Sequence, residues 1–420
     1  MISRRISHAL LNRIEAGRIE LVETFPGGES LSFGDPADER SASIQIHDPG
    51  VYRRLLISKS VGLGRTYAAG GWDSDELLEL LEIVAREVGR SNRLRRRIAP
   101  LLIPFQRLGT LKMLNTRRRA RAHISAHYDM GNEMFELFLD RETMMYSSAY
   151  YEHQDQSLED AQLARLERIC ERLELGPEDH LLEIGTGWGG MAVHAATTRG
   201  CRVTTTTISE QQRSFAERRV AEADLGDRID VVALDYRDLD GSYDKLVSIE
   251  MIEAVGWEWF DTYFRRCSEL LKPDGLFFLQ AIVIDDAIYD AERRSRSFSN
   301  QLIFPGGCLP SVETIQSSIA AGTDLRTLSL EDISASYVRT LHEWRRRFVA
   351  AGSRLEELGY DEPFRRLWRL YMAISEAGFS VGRIRDVQML FGKPRFQQRL
   401  PRAATGQDQD AGSVSSLPVR

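Results

Sequence analysis

Leu181-Leu182-Glu183-Ile184-Gly185-Thr186-Gly187-Trp188-Gly189-Gly190 reads as a buried strand that runs into a glycine turn. Apolar residues flank a single acid, and the glycines let the backbone bend sharply and approach a ligand where side chains would clash. A G-x-G-x-G loop alone serves nicotinamide, flavin and S-adenosylmethionine proteins alike. A dinucleotide site wants an acid for the ribose about 20 residues past the loop. That stretch is Thr204-Thr205-Thr206-Thr207-Ile208-Ser209 here, with no acid at the strand end. An acid comes only after the next strand-like run, Val231-Val232-Ala233-Leu234, as Asp235. Glu183, the Thr/Ser/Gln turn and Asp235 therefore suit S-adenosylmethionine, a cationic nucleoside with no pyrophosphate to cradle.

Working outward from this stretch, helical and strand-like patterns alternate. A helix over Leu158–Leu173 precedes strand Leu181–Ile184, then come helix Gly190–Thr197, strand Arg202–Thr207 and helix Glu210–Ala223. Strands Ile229–Leu234 and Lys245–Ile249, helix Trp257–Leu271 and strand Leu276–Ala281 follow. Such alternation predicts an α/β fold with a mostly parallel, Rossmann-like sheet and helices on both faces. Residues 1–90 read as a separate, smaller α+β unit. An amphipathic helix over Ile2–Ala16 leads to strands at Arg18–Thr24, Ser30–Phe33 and Ala42–His47, with Pro26-Gly27-Gly28 as a hairpin turn. A short helix over Val51–Leu56 follows, and a last helix is expected from Ser74, with Asp75 and Glu76 in its first turn, where acids favour the helix dipole. The domains expected are thus 1–90, a linker over 91–122, a catalytic unit over 123–400 and a disordered tail over 401–420, rich in Ser, Ala, Gly, Gln and Asp.

The protein, 420 residues long, has a net charge of −7, which conceals an asymmetry. Between Arg90 and Arg121 lie 10 Arg and one Lys with no Asp or Glu. They alternate with aliphatic residues such as Leu94, Ile98, Leu101 and Ile103, a mixture that suits an anionic lipid surface better than a nucleic acid. A solvated connecting helix with an arginine face is the plainer alternative. The amino-terminal stretch lacks a signal peptide's apolar run, and no segment approaches the length that crosses a bilayer. Cys170, Cys201, Cys267 and Cys308 are scattered without metal-ligand spacing, so no metal site is expected and they read as free thiols in a reducing cytoplasm.

Several further segments carry a resemblance. They are His127-Tyr128-Asp129-Met130-Gly131-Asn132, Met145-Tyr146-Ser147-Ser148-Ala149-Tyr150, Asp235-Tyr236-Arg237-Asp238, Ser248-Ile249-Glu250-Met251-Ile252-Glu253-Ala254-Val255-Gly256 and Ile303-Phe304-Pro305-Gly306-Gly307-Cys308. Together with the glycine loop they resemble the cyclopropane-fatty-acyl-phospholipid synthases, from about residue 40 to 395. His47-Asp48-Pro49 and Gly71-Trp72-Asp73 are similar to that family's amino-terminal lipid-binding domain. The resemblance implies a class I S-adenosylmethionine-dependent methyltransferase with a smaller α+β lipid-binding domain. It implies a reaction between the sulfonium methyl and a cis double bond of an unsaturated phospholipid acyl chain. Tyr146, Ser147, Glu183, Gly185, Gly187, Gly189, Thr207, Gln212, Asp235 and Tyr236 are then expected around the cofactor. Without the resemblance, Thr207 and Gln212 read equally well as a helix cap and a helix face.

Methyl transfer to an alkene leaves a carbocation, so the site needs a dry apolar channel, cation-tolerant aromatic faces and a base. The family holds a bicarbonate ion as base, bound by a Cys, a Glu, a His, a backbone amide and a Tyr. Glu253 and Tyr337 match the Glu and the Tyr, whereas Ser148 stands at the Cys position and Gln280 at the His position. Serine and glutamine still donate hydrogen bonds to an oxyanion, so a bicarbonate site is expected to survive in altered form. Ser375 replaces a cysteine found in some members, which argues against covalent thiol catalysis. His127 and Tyr128 are candidates for shaping the acyl channel. The expected product is a cyclopropane, with a methylene- or methyl-branched fatty acid as the close variant, as in the tuberculostearic-acid type. A reductase partner enters only for the branched product, and the resemblance leaves room for a homodimer. The expected location is cytoplasmic, peripheral on the inner face of the membrane. A non-catalytic S-adenosylmethionine- or lipid-binding protein on the same fold is the reading from another class.

Overall fold

The computed structural model describes residues 2–96 and 131–397. Most of the basic linker, His127, Tyr128 and the 401–420 tail lie outside the described residues. The larger sheet has seven strands in the order β10-β11-β9-β8-β5-β6-β7. These are β5 (His180–Ile184), β6 (Arg202–Thr206), β7 (Ile229–Val232), β8 (Tyr243–Ile249), β9 (Leu271–Ile284), β10 (Arg326–Asp332) and β11 (Ile384–Gly392). β5 pairs in parallel with β6 and β8, while β11 is antiparallel to β9. Leu181, Leu182 and Ile184 are all buried, as expected of a central strand covered on both faces. The backbone leaves β5 towards β6 on one side and returns as β8 on the other. That reversal opens a crevice at the carboxyl ends of β5 and β8, the usual ligand site of such sheets.

Boundaries shift where local chemistry outweighs the pattern. The helix expected over Trp257–Leu271 divides into a 3-10 turn, Trp257–Trp259, and a helix, Phe260–Glu269, while Leu271 already opens β9. β9 runs through Lys272-Pro273-Asp274-Gly275, and its register against β8 shifts near there. β7 stops at Val232 rather than Leu234, which is exposed.

The amino-terminal unit is a four-stranded sheet of β1 (Arg18–Glu23), β2 (Ser30–Gly34), β3 (Ser41–Ile46) and β4 (Trp72–Asp73), in the order β2-β1-β3-β4. β1 and β2 form the expected hairpin. Helix α1 covers Ile2–Leu11 rather than continuing to Ala16. Helix α2 runs Gly50–Ala68, far beyond Leu56, with a kink at Lys59 where φ is 49°. Helix α3 begins at Leu77 and runs to Arg96, past the expected boundary at 90. Glu76 therefore precedes the helix, where it accepts hydrogen bonds from the Ser43 amide (3.1 Å) and hydroxyl (2.6 Å).

The two units share one core. The long helix Glu362–Ser380 of the larger unit packs against both α2 and α3. Its Arg366 donates to the Tyr67 carbonyl (2.6 Å), the Trp72 carbonyl (3.0 Å) and Asp73 (2.7 Å). Trp72 and Tyr67 are buried in the same apolar cluster as Phe135, Trp344 and Trp368 of the larger unit.

Candidate active site

The glycine loop sits at the end of β5 as the sequence predicts. Gly185, Gly187 and Gly189 have φ of 105°, 53° and 83°, a region that side chains disfavour. A Cβ on Gly190 would stand 2.3 Å from the Thr143 carbonyl, so helix Gly190–Arg199 can start there only with glycine. A Cβ on Gly187 would meet nothing within 4 Å, which leaves the loop open on the side where a ligand must approach. This open turn ahead of a helix amino terminus fits an S-adenosyl group.

Around the loop, the expected cofactor residues are knitted to one another. Glu183 lies opposite Thr205 in the β5–β6 register, and its carboxylate accepts the Thr205 hydroxyl at 2.6 Å. The Thr205 hydroxyl also lies 2.7 Å from that of Thr186 in the loop. Thr207 donates to the Gln212 side-chain oxygen at 2.9 Å, and Ser209 caps the helix by accepting from the Gln212 amide. Asp235 receives Arg237 on both oxygens, at 2.8 and 2.6 Å, and Arg237 lies over the rings of Tyr236 and Trp259. Tyr236 is buried edge-on against Tyr263. Glu183 and Asp235 thus have partners within the protein that their sequence setting does not reveal.

Burial pushes the Glu183 carboxyl up to about 8, with the Thr205 hydrogen bond and the field of Arg165 acting in the opposite direction. The folded state therefore retains a proton there that the unfolded state loses near its ordinary carboxylate value. Stability falls as pH rises between those two values. Glu183→Gln keeps the acceptor for Thr205 and cannot ionise. Its melting temperature should drop less than that of wild type between roughly pH 5 and pH 8.5, a difference worth about a few kcal/mol. Parallel melting curves would refute this assignment.

The second half of the site grows from β8 and its neighbours. Asp140 accepts from the amides of Thr143 (2.6 Å) and Met145 (3.1 Å) and so shapes the loop that carries Tyr146-Ser147-Ser148. The Tyr146 hydroxyl lies 3.0 Å from that of Tyr371, and its ring packs near Phe135 and Trp344. The Ser147 hydroxyl accepts from the buried Arg165 guanidinium at 2.9 Å. Ser148 turns its hydroxyl to the Ala149 carbonyl (2.9 Å) and presents its backbone amide to the site instead.

That amide points at Glu250, the first residue after β8. The Glu250 carboxylate accepts from the Ser148 amide (2.8 Å), the Gln280 side chain (2.8 Å) and the Tyr337 hydroxyl (2.7 Å). Gln280 sits on β9 opposite Ile249 and also donates to Asp386 of β11 at 3.0 Å. Its orientation is fixed by a series of donors, since Gln388 donates to Gln280 (3.1 Å) and Arg168 donates to Gln388 (3.0 Å). Tyr337 is stacked on Phe379 with ring centres 4.4 Å apart.

Glu253, the acid expected to bind the ion, accepts the Ile282 amide at 2.5 Å, and its second oxygen has no hydrogen-bond partner among the described residues. Burial and the neighbouring Glu250 charge push its carboxyl up to about 8. Burial likewise raises Glu250, against the hydrogen bonds of Tyr337 and Ser148, and raises Asp386 well above the carboxylate range. The donors expected to hold a bicarbonate ion therefore hold a carboxylate of the protein. The residues present do not fit a resident bicarbonate.

Of the expected base-site residues, Ser148, Gln280 and Tyr337 converge on Glu250, and Glu253 lies within reach of its charge. Sequence reasoning misses Glu250, Asp386 and Arg165. Glu250 has a signal, a second acid three residues before Glu253 at a strand end; Asp386 and Arg165 have none. The cysteines offer no nucleophile, since burial pushes the Cys170 and Cys308 thiols up to about 12.

A glycine-loop crevice at the sheet's switch point, with its acid–threonine–glutamine surround, defines a class I methyltransferase. The sequence model of the mycolic acid cyclopropane synthetase family matches residues 115–389, and the protein belongs to that family. It is 36% identical over 392 residues to the tuberculostearic acid methyltransferase UfaA1 of Mycobacterium tuberculosis, covering 90% of this protein and 89% of that one. It is 35% identical over 364 residues to the cyclopropane-fatty-acyl-phospholipid synthase of Escherichia coli, covering 86% and 88%. Among solved structures, the mycolic acid cyclopropane synthase CmaA1 complexed with SAH and CTAB superposes with a TM-score of 0.61 at 28% identity, covering 65% of this protein and 98% of that one. The protein is an S-adenosylmethionine-dependent methyltransferase that modifies lipid acyl groups.

Proposed function

We propose that the enzyme adds a one-carbon unit across the cis double bond of an unsaturated phospholipid acyl chain, working at an anionic membrane surface. The observation that carries this reading is the buried carboxylate cluster beside the glycine loop, set among aromatic rings. Bound S-adenosylmethionine supplies an electrophilic methyl group. The glycine loop, Thr207, Gln212, Asp235, Tyr236, Tyr146 and Ser147 would hold it. Tyr146 packs on Trp344 and Phe304 on Tyr371, and the hydroxyls of Tyr146 and Tyr371 meet, a group of rings of the kind that stabilises a cation by roughly 0.5–2 kcal/mol each. Ser148, Gln280, Glu253 and Tyr337 place the proton-accepting charge.

Support for the membrane surface comes from the amino-terminal unit. Helix α1 leaves Ile2, Ile6 and Leu10 exposed on a face that also presents Arg5, a pattern suited to the boundary of an anionic bilayer. Among the described residues no helix is long and apolar enough to cross a membrane.

Ring closure is the first reading of the product. A methylene- or methyl-branched fatty acid is the second, favoured by the changed donor set at Ser148 and Gln280 and by the name of the first relative reported above. The position of the base selects which proton leaves, and so separates the two. Incubation with methyl-labelled S-adenosylmethionine and vesicles of unsaturated anionic phospholipid should place label in the acyl chain, and mass spectrometry with position-resolved fragmentation would tell ring from branch. Label confined to unreacted cofactor would leave a binding protein.

A further inference from the structure

We propose that Glu250 is a built-in base: its carboxylate stands where Ser148, Gln280 and Tyr337 converge, takes the proton that the alkylated acyl group loses, and makes the enzyme independent of bicarbonate. This rests on the reading of the site as that of a methyltransferase acting on carbon atoms of acyl groups.

Convergence is the first argument. A buried carboxylate that receives a backbone amide, a glutamine amide and a phenol within 2.8 Å is fixed in one place by donors that favour its charged form. Any separate oxyanion needs the same donors, and they are already engaged. These bonds also lower the carboxylate's nucleophilicity towards carbon, so it removes a proton rather than capturing the cation.

The second argument is backbone geometry. Glu250 has φ of 48°, a conformation that glycine adopts freely and a glutamate rarely does. Its amide is pinned to the Gln280 carbonyl at 2.8 Å. Strain of this kind persists where the surroundings over-determine it, and it collects at functional positions.

Charge distribution is the third. Arg165, wholly buried, is the cation whose field reaches both Glu250 and Asp386. Of the three acids, Glu250 gathers three donors. Asp386 receives Gln280 and keeps one oxygen without a partner among the described residues, and Glu253 is in the same condition with the Ile282 amide. One negative charge opposite one guanidinium is the arrangement of lowest cost, and the donors place it on Glu250.

The chemistry balances. The alkene pair bonds to the methyl carbon as its bond to sulfur breaks, and the positive charge passes from sulfur to the other alkene carbon. Glu250 then takes a proton from the new methyl group, and the freed C–H pair closes the three-membered ring. Taken from a neighbouring carbon of the acyl group, the same pair forms an alkene. Either way the carboxylate ends as a neutral acid.

The test compares wild type with Glu250→Gly in buffer stripped of carbon dioxide and in buffer with added bicarbonate. Glycine suits the backbone at this position, so the variant should fold, and removing the side chain frees the three donors. Wild-type labelling of acyl groups should be unchanged by stripping. The variant should fall by about 100-fold or more in stripped buffer and regain at least about tenfold with bicarbonate. Carbon-13 bicarbonate followed by NMR should bind the variant and not the wild type, whether or not either turns over. Loss of wild-type activity on stripping, binding of the ion to wild type, or full variant activity without bicarbonate would each overturn the proposal. Failure of the wild type to label acyl groups in both buffers would instead refute the proposed function, and the NMR comparison would still judge Glu250.

Discussion

Glu253→Gln should lower steady-state turnover by about 100-fold while leaving the first turnover and the affinity for S-adenosylmethionine close to wild type. Glutamine keeps the acceptor for the Ile282 amide and the shape of the side chain. What it removes is a proton-exchanging group. The acid cluster must release one proton per reaction cycle, and Glu253, held at about 8 beside Glu250, gains and loses its proton near neutral pH. Without it, Glu250 stays protonated after one reaction and the next is delayed. Single-turnover and steady-state rates with labelled cofactor separate the outcomes. Equal loss in both would make Glu253 itself the proton acceptor, and loss of cofactor binding would make it structural.

Arg165→Met should cost about 3–5 kcal/mol of stability, which for a protein of this size corresponds to a melting point lower by roughly 4–6 °C. Arg165 is buried with a hydrogen bond to the Ser147 hydroxyl at 2.9 Å, and two of its nitrogens have no hydrogen-bond partner among the described residues. Its presence there is explained by the acids around it, since Glu250, Asp386 and Asp140 all hold its charge in place against desolvation. Removing it raises the proton affinity of Glu250 and Asp386 further in the folded state. The penalty should therefore be smallest at acid pH, where they are protonated, and grow as pH rises. Glu250→Gln added to Arg165→Met should recover part of the loss, because the charge that Arg165 faced is then gone. An unchanged melting point at neutral pH, or a penalty that shrinks with rising pH, would remove Arg165 from this electrostatic role.

The sheet and its glycine loop were legible because strand alternation and the Gly185–Gly190 turn are local properties. Thr207 and Gln212 were legible as a pair for the same reason, five residues apart around a helix cap. The acid cluster was not. Arg165 lies on a helix with Arg168 and Arg172, and nothing in the sequence distinguishes the one that turns inward. Asp386 becomes part of the site only because β11 pairs antiparallel with β9 and sets it beside Gln280, a contact between segments more than a hundred residues apart. Ser148 faces the Glu250 carboxylate with its amide rather than its hydroxyl, a choice that residue type alone does not show. The resemblance points to Ser148, Gln280 and Tyr337, and the structure sets all three against Glu250.

The left-handed backbone at Glu250 bears on how such enzymes diversify. Glutamate and glycine codons differ by a single nucleotide, and glycine tolerates this φ at least as well. One point mutation could exchange a carboxylate built into the polypeptide for a seat that recruits its anion from solution. The fold would pass through no unstable intermediate, so descendants of one ancestor could trade dependence on dissolved carbon dioxide for self-sufficiency in either direction.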